Sequence, residues 1–552
     1  MQGKTKKTAS VRQSGEQDGS ECAIRHTLTL AISLALVPLS LAGNGSGRGM
    51  AELELSSLDG NTGFALIGEG PYDQAGTSVS ALGDFNNDGI DDLIIGAPYA
   101  GPSNNESGRS YVVFGSADGF PASVDLASLN GGDGLVLNGE QAGDLSGSSV
   151  DRAGDINGDG IDDLLIGAPY ADANGTDSGR SYVVFGGSDQ QNATLDLASL
   201  DGSNGFAING ENALDQFGWS VGPAGDLNGD GIDDVVIGAV GADSNGDYSG
   251  RAYVIFGSNS GFTHPFELAN LKSKNGFIIN GESASDQAGA SVGVAGDVNG
   301  DGLDDLLIGA FGASPNGGDS GRAYVLFGSQ TPFPAVLELS SLNGANGFTI
   351  NGEAEFDRLG QSVSAAGDFN GDGTDDLIVG ARLADPNGGS SGRAYVVFGN
   401  DSFPSSPIEM SDLNGQNGLI LNGEAQGDSA GGAVGLAGDF NHDGIDDIII
   451  GAKFADPNGD RSGRSYLVFG TNNLSGNPLE LSGLDGSNGL IINGVAGEDR
   501  SGSAVSSAGD INGDGAVDLL IGASEADGSG IYSGRSYVIF GRRDDVFADR
   551  FD

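Results

Sequence analysis

Seven times along this chain an acidic loop places oxygen-bearing side chains at every second residue and then runs into an apolar segment. The second copy reads GDINGDGIDDLLIGAP from Gly154, with the pattern D-x-N-x-D-G-x-x-D carried by Asp155, Asn157, Asp159, Gly160 and Asp163. Such a cluster could supply acid–base catalysis, a metal cage, or nothing beyond a solvated turn. Carboxylate and amide oxygens at positions 1, 3, 5 and 9, with a backbone carbonyl at position 7, form a hard donor set that suits calcium. Magnesium would demand tighter octahedral geometry, and zinc or copper would want His or Cys, which do not recur in these loops.

The candidate calcium ligands repeat in full. Position 1 is Asp84, Asp155, Asp226, Asp297, Asp368, Asp439 and Asp510; position 3 is Asn86, Asn157, Asn228, Asn299, Asn370, Asn441 and Asn512. Position 5 is Asp88, Asp159, Asp230, Asp301, Asp372, Asp443 and Asp514; position 9 is Asp92, Asp163, Asp234, Asp305, Asp376, Asp447 and Asp518. The carbonyls at position 7 belong to Ile90, Ile161, Ile232, Leu303, Thr374, Ile445 and Ala516. A plain turn needs only its Gly and one Asp. Here all five residues are kept while the residues between them vary, as Asn87, Gly158 and His442 do at position 4. An EF-hand would need Glu at position 12, which is instead Ile95, Ile166, Ile237, Ile308, Val379, Ile450 or Ile521. The loops are therefore expected to hold up to seven calcium ions, each between two strands. Asp at position 8 (Asp91, Asp162 and their counterparts, with Val517 in the last unit) reads as a rim charge rather than a ligand.

No catalytic residue is assigned. The three histidines are His26, His264 and His442, and none stands where a general base coupled to a nucleophile is expected. Two further features recur in every unit: the arginine of SGR, from Arg109 to Arg535, and the aspartate of DQAG-type turns, from Asp73 to Asp499. Groups repeated seven times are expected to pair or cap turns, since one active site needs one catalytic set.

The chain has 552 residues, 100 glycines and a formal net charge of -53. That acidity excludes nucleic acid and anionic membrane surfaces as partners and favours cations. Residues 27–43 form an apolar, uncharged run ending near Ser40-Leu41-Ala42, which reads as a signal peptide over 1–42 followed by a linker over 43–50. Removing it also removes Cys22, the one cysteine. An exported chain without disulfides needs another staple, and metal is one. No membrane span is expected in the mature chain, whose features point to a bacterial exported protein, secreted, periplasmic or on the cell surface.

The elements that must position the loops follow from a strict period. The acidic loop, the SGR arginine and the DQAG-type aspartate each recur at a step of 71 residues. The second unit holds four strand-like segments, GLVLNG (134–139), GSSVDRAG (147–154), DDLLIGA (162–168) and RSYVVFG (180–186). Four short strands in each of seven units predict an all-β, seven-bladed β-propeller over 51–541, with a tail over 542–552. The strand GFALIG at 63–68 precedes the first full unit, and the last unit ends without its fourth strand. The N-terminal strand is therefore expected to complete the last blade and close the ring.

These units resemble the FG-GAP repeat of the N-terminal propeller of integrin α subunits. FG is literal at Phe217-Gly218 and degenerate at Ala75-Gly76 and Leu359-Gly360; GAP is literal at Gly96-Ala97-Pro98 and Gly167-Ala168-Pro169. The resemblance implies calcium in the loops joining the first two strands of each blade and partner binding on the opposite face. Sequence variation concentrates in loops expected on that face, where Trp219, Phe311, Phe356, Arg382 and Lys453 are candidate ligand-binding residues. The reading is a monomeric, exported, calcium-binding adhesion or interaction module for an extracellular protein or glycan. The alternatives are an extracellular hydrolase or lyase and a purely structural surface protein.

Overall fold

Each 71-residue unit folds as it does because its apolar residues alternate. In the second blade the strands Ser149–Gly154, Asp163–Ala168, Arg180–Val184 and Gly205–Asn209 pair antiparallel in that order. The second strand is buried along its whole length, so both of its faces must be covered. Leu164 and Ile166 pack with Ile94, Val112 and Leu135 of the preceding blade. Leu165, between them, packs with Val235 and Ile237 of the following blade. The core is thus a set of layers between blades.

The computed structural model describes residues 52–101, 105–188, 193–473 and 476–541. The signal-peptide, linker and C-terminal tail assignments lie outside the described residues. The described chain forms seven sheets, the blades of an all-β propeller. Gly63–Ile67 pairs antiparallel with Arg535–Ile539 and so completes the seventh blade, as the spare N-terminal strand predicted.

Each sheet also has a fifth strand that sequence periodicity did not reveal. Thr194–Asp196, in the connection between the third and fourth strands of blade 2, pairs in parallel with Gly134–Asn138 at the outer edge of blade 1. A single turn of 3-10 helix, Leu197–Ser199, follows and buries Leu197. Every blade receives such a strap from the next one, which covers an otherwise open edge. Glu52–Glu54 serves blade 6 in this way, so the N-terminal segment closes the ring twice. At four straps a phenylalanine stacks on the fourth strand it crosses, as Phe262 does on Phe206 with centroids 4.2 Å apart.

Candidate metal loops and the opposite face

The acidic loops join the first and second strands of each blade, as expected from the sequence. Position 9 is the first residue of the second strand. All seven of these aspartates, Asp92 to Asp518, are fully buried. The Asp163 carboxylate accepts from the Gly186 amide at 2.9 Å and from Asn157 Nδ2 at 3.3 Å. Burial pushes it up to about 8, and the charges of Asp159 and Asp155 add to that rise. The other six behave alike. No salt bridge to any of them is present among the described residues.

The exposed side of the loop is bonded to itself. Asp155 Oδ1 accepts from the Asp159 amide at 2.9 Å and Oδ2 from Gly160 at 2.8 Å, while Asp159 Oδ1 accepts from Ile161 at 3.0 Å. Gly160 has φ +89°, a conformation that favours glycine. With the carboxylates turned to backbone amides, no three His, Cys, Asp or Glu side chains gather as a coordination cluster among the described residues. The donor set nevertheless fits a hard cation. Each loop buries an acid without a cationic partner, and Asn86 Oδ1, at position 3, is buried with no hydrogen bond.

The position-8 aspartate is not a rim charge. Asp233 Oδ2 accepts from the amide of Asp155 in the preceding blade at 2.9 Å. Asp162, Asp304, Asp375, Asp446 and Asp91 make the same tie to Asp84, Asp226, Asp297, Asp368 and Asp510. Each is half-buried between blades. A Cβ on Gly154 would fall 2.3 Å from an oxygen of Asp233, so this approach requires glycine. Between blades 6 and 7 the residue is Val517, and it faces Gly438 with carbon only.

At the opposite end of the strands, the SGR arginines do pair, through a network whose other member sequence reasoning missed. Arg180 forms an ion pair with Glu140, at the end of the preceding blade's fourth strand. The Tyr182 hydroxyl donates to the same Glu140 oxygen at 3.1 Å. Arg180 Nε donates to Asn209 Oδ1 at 2.9 Å, and Asn209 Nδ2 to the strap residue Glu267 at 2.8 Å. The Arg–Glu pair recurs at Arg109, Arg251, Arg322, Arg393 and Arg464. The partners Glu69 to Glu424 repeat at the same 71-residue step, which was the available signal. Among the described residues Arg535 alone of the seven lacks the pair, because Val495 stands at the glutamate position and Ile67 at the asparagine position. The DQAG-type aspartates cap turns as expected: Asp144 accepts from the Gln141 amide at 3.1 Å, and burial lifts it to about 6.

The five candidate ligand residues lie at this same end, and the structure brings only some together. Arg382 Nε donates to Gln361 Oε1 at 2.6 Å. Lys453 sits over the Phe454 ring, its amine 5.5 Å from the centroid, and makes no ion pair among the described residues. Burial holds that amine below its usual range, and Arg382 and Arg500 push the same way. Phe311 instead lies under Arg358, at 5.7 Å. Trp219 and Phe356 are 38% and 57% exposed and make no ring contact or hydrogen bond with the other three.

A family model described as the FG-GAP repeat matches residues 75–113, 146–184, 217–255, 288–326, 359–397, 430–468 and 501–539. Each match spans the first three strands of one blade and the acidic loop between the first two. The chain is an FG-GAP repeat protein. This FG-GAP protein is similar to human phosphatidylinositol-glycan-specific phospholipase D, 27% identical over 421 residues, 72% of this chain and 46% of that protein. It is similar to integrin alpha pat-2 of Caenorhabditis elegans, 32% identical over 49% of this chain and 21% of that one. Integrin alpha-5 of Xenopus laevis is 32% identical over 44% and 20% respectively. The FG-GAP chain thus spans less than half the length of each of these relatives. No helix among its described residues is long and apolar enough to cross a membrane.

Proposed function

We propose that this FG-GAP protein is an exported calcium-binding propeller that acts as an adhesion or interaction module, with an extracellular protein or glycan bound on the face opposite the acidic loops. The observation that carries the metal is the set of seven fully buried aspartates at position 9, each without a cationic partner among the described residues. A buried carboxylate without a counter-charge is costly, and a divalent cation relieves that cost. The Asp side chains at positions 1, 5 and 9, the Asn at 3 and the carbonyl at 7 would hold it. The ion would supply charge neutralisation and a staple between two strands. The likeness to integrin alpha chains supports an interaction role, and the apolar segment at 27–43 supports export.

The loop face repeats seven times, whereas the opposite face carries the residues that differ, Trp219, Phe311, Phe356, Arg382 and Lys453. Binding to a panel of extracellular proteins and glycans in calcium, repeated with Trp219→Ala and Arg382→Ala, tests this reading. Binding lost in these variants at unchanged melting temperature supports it; binding indifferent to both rules out this face. The name of the phospholipase relatives favours a second reading, a hydrolase or lyase built on the ring. Turnover abolished by one substitution that leaves fold and binding intact would establish that instead.

A further inference from the structure

The seventh blade keeps the donors of the Arg–Glu–Tyr network and lacks its acceptors. In blade 2, Arg180 Nη1 and the Tyr182 hydroxyl both donate to one oxygen of Glu140, and Nε donates to Asn209. In blade 7, Arg535 and Tyr537 stand at the same positions beside Val495 and Ile67. Arg535 Nη2 donates to the Asp527 carbonyl at 2.9 Å. Its Nε is buried without a hydrogen-bond partner among the described residues, and the buried Tyr537 hydroxyl has Arg535 itself as its polar partner, with the Asp499 charge nearby and no glutamate to accept from either. Tyr537 is 2% exposed. Native proteins seldom leave such groups unsatisfied, because each forfeits its hydration and gains nothing.

Val495 and Arg535 are half-buried, so the position borders solvent. In the paired blades the glutamate side chain that occupies it is 26–36% exposed. Guanidinium and phenol donors that converge on one oxygen recognise a carboxylate through charge-assisted hydrogen bonds. Val495 and Ile67 give the flanks an aliphatic lining, which matches the methylene stem of a glutamate and not the hydroxyl-rich ring of an acidic sugar. The rest of the chain is strongly acidic, so anions gain little by binding elsewhere.

We propose that the junction of blades 6 and 7 binds a glutamate side chain presented by a partner protein, which takes against Arg535 and Tyr537 the place that Glu140 and its five counterparts hold within the ring. The inference rests on the interaction-module reading and gives that module a ligand chemistry. Labelled hexaglutamate, hexaglutamine and oligogalacturonate are titrated against the full chain in calcium. Hexaglutamate binds and hexaglutamine does not. Val495→Glu supplies the carboxylate from within, and Arg535→Gln removes the cation; each weakens hexaglutamate by about tenfold or more. Val495→Glu keeps or raises the melting temperature, so its weakening is not unfolding. Hexaglutamate that fails to bind, or binds both variants as it binds the parent, overturns the proposal. Oligogalacturonate bound in preference to hexaglutamate overturns it in favour of a glycan. A different ligand whose binding survives Val495→Glu leaves the interaction module standing and removes only this site.

Discussion

Six junctions between blades are built alike, and the seventh, between blades 6 and 7, is not. At the other six, an aspartate ties the acidic-loop end and an Arg–Glu pair ties the opposite end. At the odd one both carboxylates are valine, Val517 and Val495. That junction joins the last unit to the rest of a ring whose closing strands come from the N-terminus, and its apolar layer is intact, with Ile449, Leu467, Leu519 and Ile521 packed together. The apolar layer, with backbone bonds such as that from the Ser501 amide to the Ser462 carbonyl at 3.1 Å, therefore holds this junction without either carboxylate tie. Where the ties are dropped, Arg535 and Tyr537 keep their places without the glutamate acceptor.

Substitutions can break or sharpen this contrast. The largest effect is expected at a position-9 aspartate. Asp163→Ala orphans the Gly186 amide and the Asn157 side chain, at about 1–3 kcal/mol for each buried group, and removes a proposed metal donor. Denaturation in calcium should show a loss of several kcal/mol with one fewer ion bound. Next, Glu140→Ala should give an intact junction the polarity of the odd one, at about 1–3 kcal/mol for the stranded Tyr182 and Arg180 groups. The matching change Arg535→Gln should cost under about 1 kcal/mol, since Arg535 makes no ion pair among the described residues. A cost at Arg535 equal to that at Arg180 would erase the contrast. Similarly small is Asp233→Asn, which weakens one charge-assisted tie to the Asp155 amide by about 1 kcal/mol or less, while Val517→Asp adds the missing tie and should stabilise by a similar amount.

The fold was legible because its signals are local and repeated. The apolar alternation of DLLIGA, the 71-residue step and the spare strand GFALIG each lie in one stretch of chain and together lead to the closed ring. What escaped notice joins distant residues. Thr194–Asp196 is too short to stand out as a strand, and its partner lies in another blade. The role of Asp233 depends on an amide 78 residues away, so a charge beside an acidic loop looked like solvated surface. The Arg–Glu pairing spans 40 residues, though both members repeat in register. Val517 was visible as a lapse in the motif; Val495 gains meaning only once Arg535 and Tyr537 are seen beside it.

The claim that the loops are calcium staples is tested most directly by melting temperature against pH, with calcium and with chelator. Seven buried aspartates have their carboxyls pushed up to about 8. In chelator the stability they contribute as neutral acids is present below the ordinary carboxylate range of about 4 and is lost as pH rises through about 8. Calcium requires the ionised form, so its stabilising increment should grow from about pH 6 to about pH 8. Calcium should raise the melting temperature strongly at the upper pH, and chelator should abolish that rise. An equal melting temperature in calcium and in chelator at that pH would contradict it.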